Sequence, residues 1–258
     1  MIDIHSHLLP GVDDGSPSIE ASVPVLERFA RDGVTCLVLT PHLAASRAAA
    51  APYERNVELL QRLKAAAPRA PELRLGWEIL LDEPNVDLRG PRLRLGGGAG
   101  YAQTESRAIL VEFRRLHVPA RAVDELYRIR STGLIPVVAH PERYRGCTVG
   151  TITQWRAAGA VMQLDTAGLV GRGHTADFAR ALLDAGLADL VASDNHGDTR
   201  SLATARAWLA DVAGEEHAEL LTTTNPRRLL DGEPVLPVPP LLHRRRILGR
   251  LRGLFRRR

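Results

Sequence analysis

Cysteine is scarce in this chain, which has only Cys36 and Cys147 among its 258 residues. The two lie 111 positions apart, and the chain opens with MIDIHSH rather than with a basic segment followed by an apolar one. These features argue against a disulfide framework and against a secretory signal peptide. A reduced, cytoplasmic protein is therefore the expectation.

Long apolar runs are also absent, since no stretch approaches the roughly 18 consecutive apolar residues of a transmembrane helix. Basic charge is concentrated at one end, because residues 243–258 hold eight arginines and no acidic residue. The other 242 residues hold 26 Lys and Arg against 30 Asp and Glu, a formal net charge of −4. An acidic body argues against nucleic-acid binding through bulk positive charge.

Short apolar runs alternate with amphipathic stretches along most of the sequence. Strands are predicted at 2–7, 34–40, 73–81, 108–113, 134–139, 161–165 and 190–193, and helices at 53–66, 120–131, 176–185 and 201–212. Ser16-Pro17 reads as a further helix start, and Pro24 is expected to kink or restart that helix. Runs that are apolar on both faces indicate strands covered by helices, so an α/β fold with a closed or nearly closed parallel barrel is predicted.

The folded body is predicted to span residues 1–242, with the Pro-rich segment 233–240 acting as an extended spacer at its end. The Gly-rich stretch 96–100 lacks the spacing of a dinucleotide-binding fingerprint and is interpreted as a flexible loop.

Histidines and carboxylates recur at one end of the predicted strands. His5 and His7 alternate along the first strand, which places both side chains on one face. The others are Asp14 in the turn after the first strand, His42 after the second, Glu78 and Glu112 in the third and fourth, His140 after the fifth, and Asp194 and His196 after the last. Carboxyl ends of parallel strands meet at one edge of a barrel, so these groups are expected to converge. Imidazoles and carboxylates without thiolates favour two or more divalent cations such as Mn²⁺, Fe²⁺ or Zn²⁺.

The motifs carry a specific resemblance. They are Met1-Ile-Asp-Ile-His-Ser-His7, Val12-Asp-Asp-Gly15, Thr40-Pro-His42, Glu78-Ile79, Glu112-Phe113, Ala139-His-Pro-Glu-Arg-Tyr144 and Ala192-Ser-Asp-Asn-His196. Together they resemble the polymerase-and-histidinol-phosphatase (PHP) superfamily, and within it the CpsB-type bacterial protein tyrosine phosphatases of capsule and exopolysaccharide systems. The resemblance implies a distorted TIM-like (β/α)7 barrel with about three divalent metal ions, Mn²⁺ being favoured. It also implies that the nine histidines and carboxylates named above are the metal ligands.

Two arginines are candidates for binding the phosphoryl group. Arg143 lies three residues after His140, and a guanidinium can bind two phosphoryl oxygens. Arg200 is the nearest match to an arginine that the family places after its last Asp-x-His motif. We expect a water molecule bridging two cations to ionise and attack phosphorus in line. His42 and a metal-bound water are both candidates for the general acid, although a phenol leaves readily without one.

Cysteine-based phosphatase chemistry is rejected, because it requires an arginine six positions after the nucleophile. Those positions hold His42 and Thr153 here. The alternatives that remain are another phosphoesterase of the superfamily, such as a histidinol-phosphate phosphatase, and a non-catalytic scaffold. His117, His174, His217 and His243 fall outside the strand-end pattern, and Asp3 is expected to hydrogen-bond a ligand histidine.

The family resemblance implies a phosphotyrosine protein as partner, namely a membrane-associated bacterial tyrosine kinase. The tail 243–258 bears on this, because Ile247, Leu248, Leu251, Leu254 and Phe255 form an apolar stripe among its arginines. Such a basic amphipathic helix is typical of contact with an anionic membrane, here the inner face, while the alternative is a disordered, solvated tail.

Overall fold

The computed structural model describes residues 1–67, 69–97 and 105–241. Within these ranges the strands are β1 (Ile2–Asp3), β2 (Cys36–Leu39), β3 (His42–Ala44), β4 (Glu72–Leu75), β5 (Glu78–Leu81), β6 (Ala108–Phe113), β7 (Ile135–Ala139), β8 (Val161–Asp165) and β9 (Leu190–Ala192). The helices are α1 (Ile19–Arg31), α2 (Tyr53–Ala66), α3 (Ala122–Ser131), α4 (Val149–Ala157), α5 (Thr166–Val170), α6 (His174–Asp184), α7 (Leu202–Val212), α8 (Glu215–Glu219) and α9 (Asn225–Leu230). A π-helical turn at Leu220–Thr224 joins α8 to α9.

All of the strand pairs are parallel and form two sheets. One sheet has the order β1-β2-β4, and the other has the order β3-β5-β6-β7-β8-β9. The chain passes from β2 directly into β3 and from β4 directly into β5. Each of these pairs therefore forms one bent strand of the barrel. A bridge between Ser6 and Asn195 joins the chain after β1 to the chain after β9. The predicted α/β barrel is therefore confirmed, and within the described residues it has seven strand positions built from nine short strands.

The first predicted strand differs most from the structure, since its regular ladder ends at Asp3. Beyond Asp3 the backbone hydrogen-bonds alternately to the segment after β9 and to the segment after β2. The His5 carbonyl accepts from the Asp194 amide at 3.0 Å, and the Ser6 carbonyl accepts from the Thr40 amide at 2.8 Å. This segment fastens the two sheets together and carries two of the candidate ligands.

Alternation along the strands decides which side chains face the barrel interior. Ala108 and Leu110 of β6 pack in the interior apolar cluster, whereas Val111 and Phe113 pack against the surrounding helices. A period of two therefore directs Glu112 toward the interior. The interior is apolar at the amino ends of the strands and polar at their carboxyl ends.

The helices cover the outside of the barrel, and four of them match their predicted spans within two residues. The helix after Ser16-Pro17 instead has Ser18 as its N-cap, whose hydroxyl accepts from the Ala21 amide, and it continues through Pro24 without a break. α4 was not predicted, although Thr148 and Thr151 form a capping box at its start.

The segment 233–240 is not the free spacer that its composition predicts. The Leu236 amide donates to the Asn225 side chain at 2.8 Å, and Val238 and Leu241 are buried against the body. The predicted loop at 96–100 lies partly outside the described residues, and the tail 243–258 lies wholly outside them. Among the helices in the described ranges, none is long and apolar enough to cross a bilayer.

Candidate metal centre and phosphate site

Four side chains from different parts of the sequence meet at the carboxyl edge of the barrel. His5 Nε2 and His7 Nε2 lie 3.2 Å apart. Glu78 Oε2 lies 3.4 and 3.2 Å from these two nitrogens, and Asp194 Oδ1 lies 3.3 Å from each. All four side chains are buried. Such spacing is what ligands of one cation show, because metal–ligand distances of roughly 2.1 Å place neighbouring donor atoms about 3.0–3.4 Å apart.

The hydrogen bonds on the far sides of the two imidazoles point to the same conclusion. His5 Nδ1 donates to Gln163 Oε1 at 2.9 Å, and His7 Nδ1 donates to Asp13 Oδ2 at 2.8 Å. In the neutral imidazole only the other nitrogen then carries a lone pair, so both Nε2 lone pairs face each other and the carboxylates. Converging lone pairs repel unless a cation or a proton lies between them. The donor set therefore fits a divalent metal ion.

Glu78 extends this cluster toward two further histidines. Its Oε1 lies 2.8 Å from His140 Nε2, and its Oε2 lies 3.0 Å from His42 Nδ1. Glu112 Oε1 is 3.8 Å from the same His42 nitrogen. One carboxylate thus touches four imidazoles, which is suited to a ligand shared between neighbouring cations.

The outer part of the cluster opens to solvent. Asp14 Oδ1 lies 3.2 Å from His42 Nε2 and 3.7 Å from His196 Nε2. The Asp14 side chain is 71% exposed and that of His42 is 39% exposed. A substrate can therefore reach the centre from this side.

The electrostatics of the cluster show how strongly it demands positive charge. Burial alone would lower the pKa of His5, but the charges of Glu78 and Asp194 outweigh it and raise that pKa to about 9. For His7, burial is outweighed by hydrogen bonds with Asp13, Asp194 and Glu78, which raise the pKa to about 11. Burial and then the charge of Glu78 raise the pKa of Glu112 to about 7. His5 and His7 therefore hold protons near neutral pH when no cation is bound, so cation binding at these two residues must release protons.

Both candidate phosphate-binding arginines contact the carboxylate oxygen of Asp194 that faces away from the histidines. Arg143 Nη2 forms an ion pair with Asp194 Oδ2 at 2.7 Å, and Arg200 Nη1 donates to the same oxygen at 3.3 Å. Arg143 also donates to Asp165, and Arg200 also pairs with Asp198. Because both side chains are about one quarter exposed, each can offer remaining N–H groups to the open side of the site.

Backbone conformation helps to aim two of these residues. His140 and Asp194 follow β7 and β9 in left-handed conformations, with φ of 34° and 48°. Such conformations cost roughly 1–3 kcal/mol for residues other than glycine and are concentrated at functional sites. At these two strand ends the left-handed backbone turns the candidate ligand side chains into the cluster.

The structure brings together all nine residues that the sequence singles out as candidate ligands. They fall into four overlapping groups, namely His7, Asp14, His42 and His196; His5, Glu78 and His140; His5, His7 and Asp194; and His42, Glu78 and Glu112. His117, His174 and His217 belong to none of these groups, and His243 lies outside the described residues. Asp3 does not bond the ring of a ligand histidine as expected; its Oδ1 accepts from the backbone amides of His5 and Ser193.

Three polar residues of the site were missed. Asp13 and Gln163 hold His7 and His5, and Asp165 holds Arg143. Asp13 is adjacent to Asp14, so the sequence alone does not separate a residue that orients a ligand from the ligand itself.

The cysteines contribute nothing to this site. Cys36 is buried in the apolar core and Cys147 is half-buried. Burial raises the pKa of Cys36 to about 11 and that of Cys147 to about 12, so neither is a thiolate near neutral pH. This agrees with the rejection of cysteine-based catalysis.

Replacing Asp13 with asparagine is expected to weaken metal binding about tenfold or more, because a carboxylate that accepts from a ligand histidine fixes its tautomer. An asparagine can turn its NH₂ group toward His7 and so favour the wrong tautomer. Competition with a chelating dye measures the affinity for Mn²⁺. Exposed Asp211→Asn in α7 is the matched control and should bind Mn²⁺ normally, while an unchanged affinity for Asp13→Asn would contradict this role.

Gly15 is expected to tolerate no side chain, because a Cβ there would lie 2.0 Å from the His7 carbonyl oxygen and 2.4 Å from the His7 Cβ. Gly15→Ala must therefore push the 13–15 turn away from His7. We expect lower thermal stability and an activity loss of at least about tenfold, since misplacing catalytic groups by 1 Å can cost a hundredfold. Gly150→Ala, in the first turn of α4 with no close neighbour, should leave both unchanged; equal behaviour of the two variants would refute the prediction.

Comparison with known proteins identifies the family to which this chain is similar. A family model described as "Capsular polysaccharide synthesis, CpsB/CapC" matches residues 1–231. The tyrosine-protein phosphatase YwqE of Bacillus subtilis is 30% identical over 266 aligned positions, covering 96% of this chain and 99% of YwqE. The tyrosine-protein phosphatase CpsB of Streptococcus pneumoniae is 28% identical and covers 89% of this chain and 98% of its own.

A solved structure from a study of YwqE and CpsB, described there as unique metal-dependent tyrosine phosphatases, superposes with a TM-score of 0.79. Its sequence identity is 27%, and the match covers 93% of this chain and 98% of the other. A β-aspartyl dipeptidase from Fervidobacterium islandicum superposes with a TM-score of 0.54 at 16% identity, covering 92% of this chain and 75% of the dipeptidase, which shows a shared fold alone.

Proposed function

The chain belongs to the CpsB/CapC capsular polysaccharide synthesis family of metal-dependent tyrosine phosphatases, and we propose that it hydrolyses phosphotyrosine in a bacterial protein tyrosine kinase. The observation that supports this most is the set of converging lone pairs on His5, His7, Glu78 and Asp194 beside two guanidinium groups. Cations and arginines together match the charge of a phosphomonoester.

We propose that about three divalent cations are held by the nine histidines and carboxylates of the four overlapping groups. Mn²⁺ is favoured, with Fe²⁺ or Zn²⁺ as alternatives, because the donors are nitrogen and oxygen without thiolate. When bound, such cations polarise the phosphoryl group and make water a competent nucleophile near neutral pH.

The chain's own residues orient and neutralise the substrate. Arg143 and Arg200 share one oxygen of Asp194, so their guanidinium groups are fixed relative to the histidine cluster. In this position they bind phosphoryl oxygens and stabilise the charge that develops as the ester bond breaks. Removing one preorganised donor of this kind lowers the reaction rate about 10²–10³-fold.

The leaving group places a small demand on the protein. A tyrosine phenol has a pKa of about 10 and departs more easily than an alkyl alcohol. His42 lies at the open side of the cluster, half-exposed, and is our candidate for donating a proton to the phenolate.

We propose that the phosphorylated kinase is membrane-associated and that the enzyme acts at the cytoplasmic face of the membrane. The basic, amphipathic spacing of residues 243–258 supports contact with anionic lipid. The full chain should sediment with vesicles containing anionic lipid, and a chain ending at residue 242 should not. Equal sedimentation of the two would remove the role of the tail.

The function is tested by stripping the purified protein of metal and restoring Mn²⁺, Fe²⁺ or Zn²⁺ separately. Phosphotyrosine peptide, phosphoserine peptide and histidinol phosphate are then compared as substrates. We expect metal to restore hydrolysis and kcat/KM to be highest for the phosphotyrosine peptide. A marked preference for histidinol phosphate, or full activity without metal, would contradict the proposal.

A further inference from the structure

β8 differs from its neighbours at the carboxyl edge of the six-stranded sheet. Each of the other strands in that sheet carries or is followed by a candidate ligand: His42 with β3, Glu78 with β5, Glu112 with β6, His140 with β7 and Asp194 with β9. Within the described residues, β8 supplies no member of these groups. It supplies Gln163 and Asp165 instead, both fully buried and two residues apart on the interior face of the strand.

Gln163 is bonded in a way that fixes the protonation of His5. Its Nε2 donates to the Leu164 carbonyl at 2.8 Å, which directs the amide oxygen toward His5. That oxygen accepts from His5 Nδ1 at 2.9 Å. In the neutral imidazole the His5 proton is thereby held on Nδ1, and the Nε2 lone pair is left facing His7, Glu78 and Asp194.

Asp165 is bonded in a way that fixes Arg143. Its Oδ2 accepts from Arg143 Nη2, and its Oδ1 accepts from the Ala167 amide at 3.0 Å. The Asp165 amide in turn donates to Glu142 Oε1 at 2.8 Å. Gly168 keeps this arrangement open, because a Cβ there would lie 2.5 Å from the same Glu142 oxygen.

We propose that β8 is the positioning strand of the active site, where Gln163 prepares His5 for a cation and Asp165 holds Arg143 for the phosphoryl group. This inference rests on the proposed phosphatase function. Neither residue touches the substrate; each acts through its partner. β8 thus fixes the position of His5, in the cation-binding part of the site, relative to Arg143, in the phosphate-binding part.

The first test concerns Gln163 and needs no turnover. Gln163→Met has a similar volume without the acceptor, and Gln163→Glu retains an acceptor for His5 Nδ1. We expect Gln163→Met to weaken the affinity for Mn²⁺ about tenfold to a hundredfold, measured by competition with a chelating dye, and Gln163→Glu to restore most of it. Equal affinity of Gln163→Met and the wild type would overturn the role of Gln163.

The second test is a double-mutant cycle between Asp165 and Arg143. Asp165→Asn alone is expected to lower kcat/KM on phosphotyrosine peptide about tenfold, but less than about twofold when Arg143 is already lysine, because coupled residues are not additive. Affinity for Mn²⁺ should be unchanged. Equal losses from Asp165→Asn in both backgrounds would show that Asp165 does not act through Arg143.

Asp189→Asn is the matched control, because Asp189 is also buried and pairs with an arginine, Arg156, at 2.8 Å. Asp189 precedes β9 and so lies at the amino ends of the strands, away from the site. Asp189→Asn should lower thermal stability with kcat/KM and Mn²⁺ affinity unchanged. If Asp165→Asn merely repeats this pattern, the carboxylate is structural and the proposal fails. If the wild-type protein with metal restored does not hydrolyse phosphotyrosine, the proposed function is contradicted. The Mn²⁺ affinity of the Gln163 variants still tests the role of Gln163, because that measurement needs no turnover.

Discussion

Glu78→Gln is expected to reduce phosphotyrosine hydrolysis by at least about a thousandfold, because it removes the negative charge of a proposed cation ligand. Glu78 is buried and lies within 3.4 Å of a nitrogen of each of four histidines, which are His5, His7, His42 and His140. A glutamine there would offer one oxygen and an NH₂ group where the carboxylate offers two oxygens, so it would be a poorer ligand for a cation. Elemental analysis of the purified variant should show a loss of bound metal alongside the loss of kcat.

The charge balance of the cluster makes this prediction specific. Burial raises the pKa of Glu78, but His5, His140 and His42 outweigh it and lower that pKa well below its usual value. Glu78 is therefore an anion near neutral pH. Glu58→Gln, on the exposed side of α2, is the matched control and should retain metal and activity. Wild-type metal content and turnover in Glu78→Gln would show that Glu78 is neither a required metal ligand nor required for catalysis.

Arg143→Lys is expected to lower kcat/KM about a hundredfold while leaving the metal content intact, since an ammonium cannot replace the planar fork of a guanidinium. Among the described residues, Arg143 contacts Asp194 and Asp165 through Nη2, and this leaves the N–H groups of Nε and Nη1 to bind phosphoryl oxygens. Asp194 and Asp165 are both buried, so some loss of stability will accompany the change. Steady-state kinetics with phosphotyrosine peptide and a small aryl phosphate measure the effect.

Arg145→Lys is the control for this variant, because Arg145 follows two residues later and its side chain is exposed. It should retain wild-type kcat/KM with the aryl phosphate. If Arg143→Lys also retains it, Arg143 serves the fold rather than the substrate. If it loses metal together with activity, Arg143 acts by holding Asp194 in the cluster.

The strand ends of the site could be predicted from sequence because parallel strands place their carboxyl ends at one edge. Residues as far apart as His5 and His196 converge for that reason alone. The details of the barrel could not be predicted in the same way. Breaks at Thr40-Pro41 and Gly76-Trp77 divide two bent strands of the barrel into separate strands, and the segment after Asp3 is held by single bonds to both sheets.

The residues that orient the candidate ligands could not be predicted from the sequence either. Gln163 and Asp165 sit in a buried strand between apolar neighbours, and their partners, His5 and Arg143, are 158 and 22 positions away. Only the three-dimensional structure makes these pairs visible. The continuation of α1 through Pro24 could not be predicted either. Proline disfavours a helix interior, but the burial of Val25, Leu26 and Phe29 stabilises the unbroken helix.

Anomalous X-ray scattering from crystals of the Mn²⁺-loaded, active protein tests the metal centre most directly. The account predicts a peak enclosed by His5, His7, Glu78 and Asp194, with neighbouring peaks toward His140 and Glu112 and toward Asp14, His42 and His196. Active protein whose crystals show no anomalous peak among these side chains would contradict it.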